Sequence, residues 1–377
     1  MSPTETQSPT PTPAPTPTER AASAHEPLPG SLRARSGLLR DYWYVACQSE
    51  TLGARPLGRL IMDEALVLYR DRSGRARCFR DRCLHRNAEL SEGFVHDDCL
   101  VCPYHGWRYD PDGACVAIPS ARAEAPLPKK RLTAFPTREQ DGLVWVFMGD
   151  PARAGEVEPF RMPHHADAGW RSYYMETLFE NDVTNCVENF MDVPHTITVH
   201  KAWFRSESGK EVKATVERTS DSVLVTYHQE RDEIGLSTKI LNPTGEPMTH
   251  TDRFFMPNVT RVDYDFGSKR SFVITSQCTP ETESRTRVYT LISFRLGGRL
   301  LNRLGRLLLP PYTRKVIHQD VVIMANQGRS LRRYGSEFLN SEADLLHRYI
   351  ESLRDWAASG GAGPRPQPVT QEIVFYV

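Results

Sequence analysis

The chain has 377 residues, 39% of them apolar and 25% charged, and its 47 basic and 47 acidic side chains leave no net charge. That length suits two or three folding units of roughly 150 residues. The even balance argues against a surface devoted to nucleic acid, which needs a basic excess, and no apolar run approaches the roughly 18 residues of a membrane span.

Residues 1–35 begin with Pro3, Pro9, Pro11, Pro13, Pro15 and Pro17 set among threonines. Such a segment buries too little to offset the entropy of ordering, so it is expected to be disordered. It also lacks the basic start and apolar run of a secretory signal. A cytoplasmic, reducing compartment is expected, and the eight cysteines then need an explanation other than disulfides.

From 36 to 150 the chain reads as short strands joined by turns. Candidates are Tyr42–Cys47, Leu66–Arg70, Ala76–Arg80, Trp107–Asp110, Cys115–Ile118 and Gly142–Phe147, with Asp71-Arg72-Ser73-Gly74 and Pro111-Asp112-Gly113 as turn signals. This is the pattern of a small all-β domain. Residues 151–377 differ. Glu176 to Phe190 has helical spacing, and strands are expected near Lys213–Glu217, Val223–Tyr227, Ser271–Thr275, Arg287–Ser293 and Ile373–Tyr376. The Leu- and Arg-rich stretch Leu300–Pro310 reads as a surface or partly buried helix, or as a weakly membrane-facing amphipathic one. Ser341–Asp344 resembles a capping box before a helix reaching about Ala358. The fold class expected is α+β: an N-terminal all-β domain, then a larger α+β domain with an antiparallel sheet.

Five cysteines fall between 78 and 115, near two histidines. Cys83-Leu84-His85 and Cys102-Pro103-Tyr104-His105 each offer one thiolate and one imidazole, with sixteen residues between the pairs. One zinc ion accepts two sulfurs and two nitrogens, and a Rieske [2Fe–2S] cluster divides the same four ligands between two irons. The ligand types alone leave both open. Zinc-finger spacing is absent, whereas Pro103 and Gly106 favour a tight loop whose backbone N–H groups can cover a charged cluster. Cys78, Cys99 and Cys115 read as small core side chains.

A second constellation lies at Asn189-Phe190-Met191-Asp192-Val193-Pro194-His195, followed by His200. Histidines five apart do not share a helical face, but a helix ending near Val193-Pro194 would let the chain bring them together.

The Cys-x-His-x16-Cys-x2-His pattern, with Asn-x-x-Asp-x-x-His-x4-His after it, resembles the Rieske non-haem iron oxygenases over residues 40 to 335. The resemblance implies a [2Fe–2S] cluster on Cys83, His85, Cys102 and His105. It also implies a mononuclear Fe(II) on His195, His200 and the late carboxylate Asp320, which stands in Gln319-Asp320 where the family often has Glu-Asp. It implies that Asp192 bridges His105 of the partner subunit to an iron-ligand histidine in a homotrimer. Asn189 would lie near the iron without binding it. Electrons would come from a separate ferredoxin or reductase, and O2 would oxidise a bulky cyclic substrate. The Asn189–His195 and His200–Arg205 phrases look similar to the pheophorbide oxygenase and saxitoxin-tailoring branches. Phe204, Phe254, Phe255, Met256 and Phe272 are candidate pocket residues.

Overall fold

The computed structural model describes residues 37–200, 209, 211–228, 248–267 and 269–377. The Pro/Thr-rich start and Phe204 lie outside the described residues.

The N-terminal part contains strands β1 (Tyr42–Gln48), β2 (Leu57–Ile61), β3 (Glu64–Arg70), β4 (Ala76–Arg80), β5 (Phe94–His96), β6 (Cys99–Val101), β7 (Arg108–Tyr109), β8 (Cys115–Ala117), β9 (Thr137–Gln140) and β10 (Leu143–Met148). They form three antiparallel sheets, ordered β1-β10-β9, β2-β3-β4 and β5-β6-β7-β8. Every residue of β10 is buried, because its two faces serve different cores. Val144, Val146 and Met148 pack with Tyr44, Leu66 and Leu68 inside the small domain. Leu143, Trp145 and Phe147 face the other way and join Tyr289 and Leu291 of the C-terminal part. The two parts therefore share a core as well as a chain.

The C-terminal part is built on one antiparallel sheet of eight strands. These are β11 (Arg171–Phe179), β12 (Glu211–Arg218), β13 (Ser222–His228), β14 (Thr249–Phe255), β15 (Val259–Asp265), β16 (Arg270–Thr282), β17 (Arg285–Leu296) and β18 (Val369–Tyr376). Their spatial order is β11-β17-β16-β15-β14-β13-β12-β18. Helices α1 (Val183–Met191) and α3 (Leu345–Ala358) bury Val183, Val187, Ile350 and Leu353 in a core with Val216, Val223 and Val225 of the sheet. Helix α2 (Arg299–Tyr334) runs for 36 residues, about 54 Å at ~1.5 Å per residue. The expected capping box at Ser341–Asp344 is formed, one turn before α3.

The structure departs from the expected elements at two places. Helical spacing suggested one helix from Glu176 to Phe190, but Glu176–Phe179 pair with Thr286–Tyr289 as the end of β11. The helix starts only after Asp182, whose carboxylate caps it by accepting from the Asn185 N–H at 2.8 Å. Sheet pairing outweighs local periodicity at that edge. Strands β14 and β15 were not anticipated. In β14 the inward positions include His250 and Asp252, so no apolar alternation announces the strand.

Buried polar contacts set how the helices meet the sheet. Arg354 of α3 is fully enclosed and donates to Pro257 O, Gly37 O (2.9 Å), Thr184 Oγ1 (3.1 Å) and Asn258 Oδ1. Asn181, just before α1, donates through Nδ2 to Met324 O and Gln327 Oε1 of α2, both at 2.9 Å. Gly328 lets that contact close: a Cβ there would lie 2.2 Å from the Glu180 carbonyl oxygen. Gly328→Ala is therefore expected to lower stability by ~2 kcal/mol through overpacking, read as a lower urea midpoint. An unchanged midpoint would show that α2 can shift freely on α1.

Candidate metal centres

Helix α1 ends at Met191, and Asp192 follows in extended conformation as its C-cap. The chain then turns through a short 3-10 segment, Pro194–Ile197, before reaching His200. That break, expected from Val193-Pro194, aims both imidazoles at one point. His195 Nε2 and His200 Nε2 lie 3.2 Å apart. Asp320 Oδ1, from the middle of α2, lies 3.4 Å from the first and 3.2 Å from the second. Among the described residues these three form a group whose donor atoms all lie within 4.8 Å of one another.

The arrangement fits a metal better than it fits a hydrogen-bond network. Three ligands at right angles on bonds of ~2.1 Å would stand about 3.0 Å apart, close to the spacing seen. Asp320 is 4% exposed, yet its Oδ1 makes no well-formed hydrogen bond. Burial alone would raise the Asp320 pKa, but His195 and His200 outweigh it and hold the group below the usual carboxylate value. His200 has its tautomer set from outside, since Gln319 Oε1 can only accept and lies 2.9 Å from His200 Nδ1. The proton sits on Nδ1, which leaves the Nε2 lone pair facing the centre. Gln319 thus keeps the orienting contact while removing the charge of the more usual Glu.

Of the other expected residues, Asp192 contacts His195, its Oδ1 3.4 Å from the His195 N–H and its Oδ2 3.9 Å from Nδ1. Asn189 lines the cavity beside the triad with its Nδ2 buried and unpartnered. His318, two residues before Asp320, belongs instead to an outer groove with Val322 and Arg329.

The triad borders a cavity with about 1040 Å³ of empty space including its mouth. The sheet contributes Met175, Val262, Tyr264, Phe272, Ile274 and Ile292, and the helices contribute Phe190, Leu309, Tyr312, Val316 and Ile317. Of the aromatic residues expected there, Phe272 lines it. Phe254 belongs to the core packed by α1 and α3, and Phe255 packs on Phe160. Sequence reasoning missed the polar feature of the wall. Asp252 accepts from Tyr227 Oη and pairs with His250 Nε2, both at 2.9 Å, and the His250 ring lies between Tyr227 and Tyr264. His250 and Asp252 two residues apart were a signal for one strand face.

In the N-terminal part, the loops Cys83–Ala88 and Cys102–Trp107 are closed by backbone hydrogen bonds, Cys83 N to Ala88 O and Cys102 N to Trp107 O, each 2.9 Å. Gly106 adopts a φ of 69°, a left-handed conformation that suits glycine. His85 and His105 come together with ring centroids 4.6 Å apart, and Trp107 stacks on His85. His85 Nδ1 is buried without a partner, and desolvation and His105 hold the ring below the ordinary imidazole pKa. It is therefore a neutral nitrogen available as a ligand. Burial raises the Cys102 thiol, while the Tyr104 and His105 backbone N–H groups act on it in the opposite sense, as favours a bound thiolate. Tyr109 Oη accepts from Leu84 N and so can donate its own proton to Cys83 Sγ, 3.1 Å away. Cys78 and Cys115 are buried as expected, and Cys99 is half-buried.

Comparison with known proteins accords with both centres. The family described as "Rieske [2Fe-2S] domain" matches residues 42–136, and "Vanillate O-demethylase oxygenase C-terminal domain" matches 180–350. The chain belongs to the Rieske oxygenases. Its cofactors are accordingly the [2Fe–2S] cluster and a mononuclear iron. Among curated relatives, this Rieske oxygenase is 35% identical over 181 residues to the toluene-4-sulfonate monooxygenase system iron-sulfur subunit TsaM1 of Comamonas testosteroni, 48% of this chain and 52% of that one. It is 37% identical over 166 residues to the dicamba O-demethylase oxygenase component of Stenotrophomonas maltophilia, 44% and 48% of the two chains. The chain spans about half the length of the curated relatives it matches. In fold it resembles dicamba monooxygenase bound to dicamba (TM-score 0.70, 24% identity, 85% of this chain and 98% of that one). It also resembles Pseudomonas putida CBB5 NdmA with caffeine (TM-score 0.73, 20% identity, 90% and 98%).

Loss of the outer contact to His200 should weaken the iron site without dismantling the fold. Gln319→Leu is expected to lower Fe(II) affinity about 10- to 100-fold, while Gln319→Glu retains it. Metal competition titration checks this, and equal affinities for both variants would remove the orienting role.

Proposed function

We propose that this Rieske oxygenase is a terminal oxygenase component that hydroxylates a bulky cyclic substrate with O2 and relayed electrons. The observation that carries the reading is the convergence of His195, His200 and Asp320 beside a largely apolar cavity. Bound there, iron would leave one face open to O2 and substrate. In the overall reaction one oxygen atom enters a C–H bond and the other leaves as water, with two electrons and two protons supplied.

The chain's residues set up that reaction. His195, His200 and Asp320 hold the metal, and Gln319 keeps His200 in the ligating tautomer. The apolar wall excludes water and orients the substrate by shape. The Asn189 amide and the Asp252 carboxylate are the polar groups placed to meet a substrate's own polar atoms. At the other centre, Cys83, His85, Cys102 and His105 hold the cluster, and the Tyr109 hydroxyl stabilises charge on the Cys83 sulfur.

Electron entry and relay need partners. His105 and Tyr104 lie at the surface, Tyr104 being 66% exposed. Asp192 borders an outer groove with Glu188, Asp344 and Glu351. These positions support a homotrimer in which Asp192 accepts N–H bonds from its own His195 and from His105 of the partner subunit. A ferredoxin or NAD(P)H-dependent reductase would supply the electrons. Eight free cysteines support a cytoplasmic setting. Among the described residues no helix is long and apolar enough to cross a membrane.

Oxidative demethylation is the second reading, favoured by the C-terminal family match and by the O-demethylase activity for which the dicamba relative is named. It needs the same hydroxylation, at a methyl carbon attached to a heteroatom.

His195→Ala is expected to lose the mononuclear iron and product formation while keeping the cluster's electron paramagnetic resonance signal. Unchanged iron content and turnover would overturn the assignment. With labelled O2 and a surrogate reductase, hydroxylation should add one labelled atom to the product; a gain of two would point to dioxygenation instead.

A further inference from the structure

The first turns of α2 present a surface that neither metal centre uses. At ~100° per residue, Arg299–Lys315 divides into three sectors. Asn302, Gly305, Leu309 and Thr313 are buried against the rest of the domain. Leu300, Leu304, Leu307 and Leu308 share an outward sector with Leu301 at its margin, and Leu300 and Leu307 are 71% and 72% exposed. Arg299, Arg303, Arg306 and Arg314 fill the third sector, all exposed. No Asp or Glu occurs between Arg299 and Gln319.

Single exposed leucines are ordinary on a protein surface. Five exposed leucines between 300 and 308, bordered only by cations, are not. We propose that this half of α2 docks on an anionic lipid surface, with the leucines entering the acyl boundary and the arginines meeting headgroup phosphates. The division of apolar and cationic sectors is what an interfacial helix requires. Charge also decides against a two-fold dimer through this face, since such a pairing would set arginine against arginine.

Docking would also place the cavity. Leu309, Tyr312, Thr313 and Val316, from the other side of the same helix, line it. A lipophilic substrate could then pass from the bilayer into an apolar chamber. That last step rests on the oxygenase reading, whereas docking does not.

The test is co-sedimentation of the full-length, metal-loaded protein with vesicles of mixed phosphatidylglycerol and phosphatidylcholine, against phosphatidylcholine alone. The protein should pellet with the anionic vesicles and release at high salt. Leu304→Glu/Leu307→Glu should bind at least about tenfold more weakly, and Arg303→Gln/Arg306→Gln should lose the preference for anionic lipid. Leu300→Ser/Leu307→Ser, at the two most exposed positions, is a milder variant, and the visible cluster spectrum reports that each has folded. Wild-type protein that stays in solution overturns the proposal, as do folded leucine variants that bind like wild type. It is also overturned if these variants split a larger wild-type species in sedimentation velocity, since a second copy would then cover the leucines. Binding is read without turnover, so an inactive protein that still pellets would count against the oxygenase reading alone.

Discussion

The amide of Asn181 carries a constraint on which the C-terminal part depends. It donates to Met324 O and Gln327 Oε1 of α2 from the turn that starts α1. Helix α1 leads to His195 and His200, and Met324 lies one turn beyond Asp320. Three donor atoms must agree to within a few tenths of an ångström for a metal to use them, and side chains from distant parts of the chain do so only if their helices cannot slide. Gly328 permits the close approach and the amide fixes its register. Both act in a buried setting, where an unmet hydrogen bond costs about 1–3 kcal/mol, so displaced arrangements are disfavoured.

The same economy appears around each centre. Some groups at each candidate metal site are left without good partners inside the protein, and neighbouring candidate ligands are oriented from behind. Asp320 Oδ1 and His85 Nδ1 are orphaned, while Gln319 and Tyr109 contact the candidate ligands His200 and Cys83. Orphaned buried atoms destabilise an empty fold, and that cost is recovered when a metal binds. The cavity wall follows a related logic. Its Asp252 carboxylate is engaged from behind by Tyr227 and His250, while Asn189 keeps an unpartnered amide nitrogen among mostly apolar neighbours.

Helix α2 links this interior to the outside. Its middle supplies Asp320 and Gln319, its inner face closes the cavity, and its first turns expose leucine and arginine to the surroundings. The exposed turns and the cavity wall belong to one helix of 36 residues, with Pro310 and Pro311 between the exposed leucines and Asp320.

The sequence by itself supplied the candidate ligands. Cysteine and histidine at Cys83, His85, Cys102 and His105 and the 195/200 histidine pair are recognisable because ligand type and spacing are local properties, and the small β domain was legible because its turns and alternating strands are local too. The limit of the helix before Asp182 was not, since pairing with β17 decides it. Neither were β14 and the His250–Asp252 network, whose inward polar side chains disguise the strand. Asp320 stood out only by resemblance; on composition it is one carboxylate among 47 acidic residues. What joins it to His200 is the packing of α2 on α1, a contact between segments 119 residues apart at Gln319. Only the tertiary structure decides such a contact, because its energy comes from groups that are not neighbours until the chain has folded.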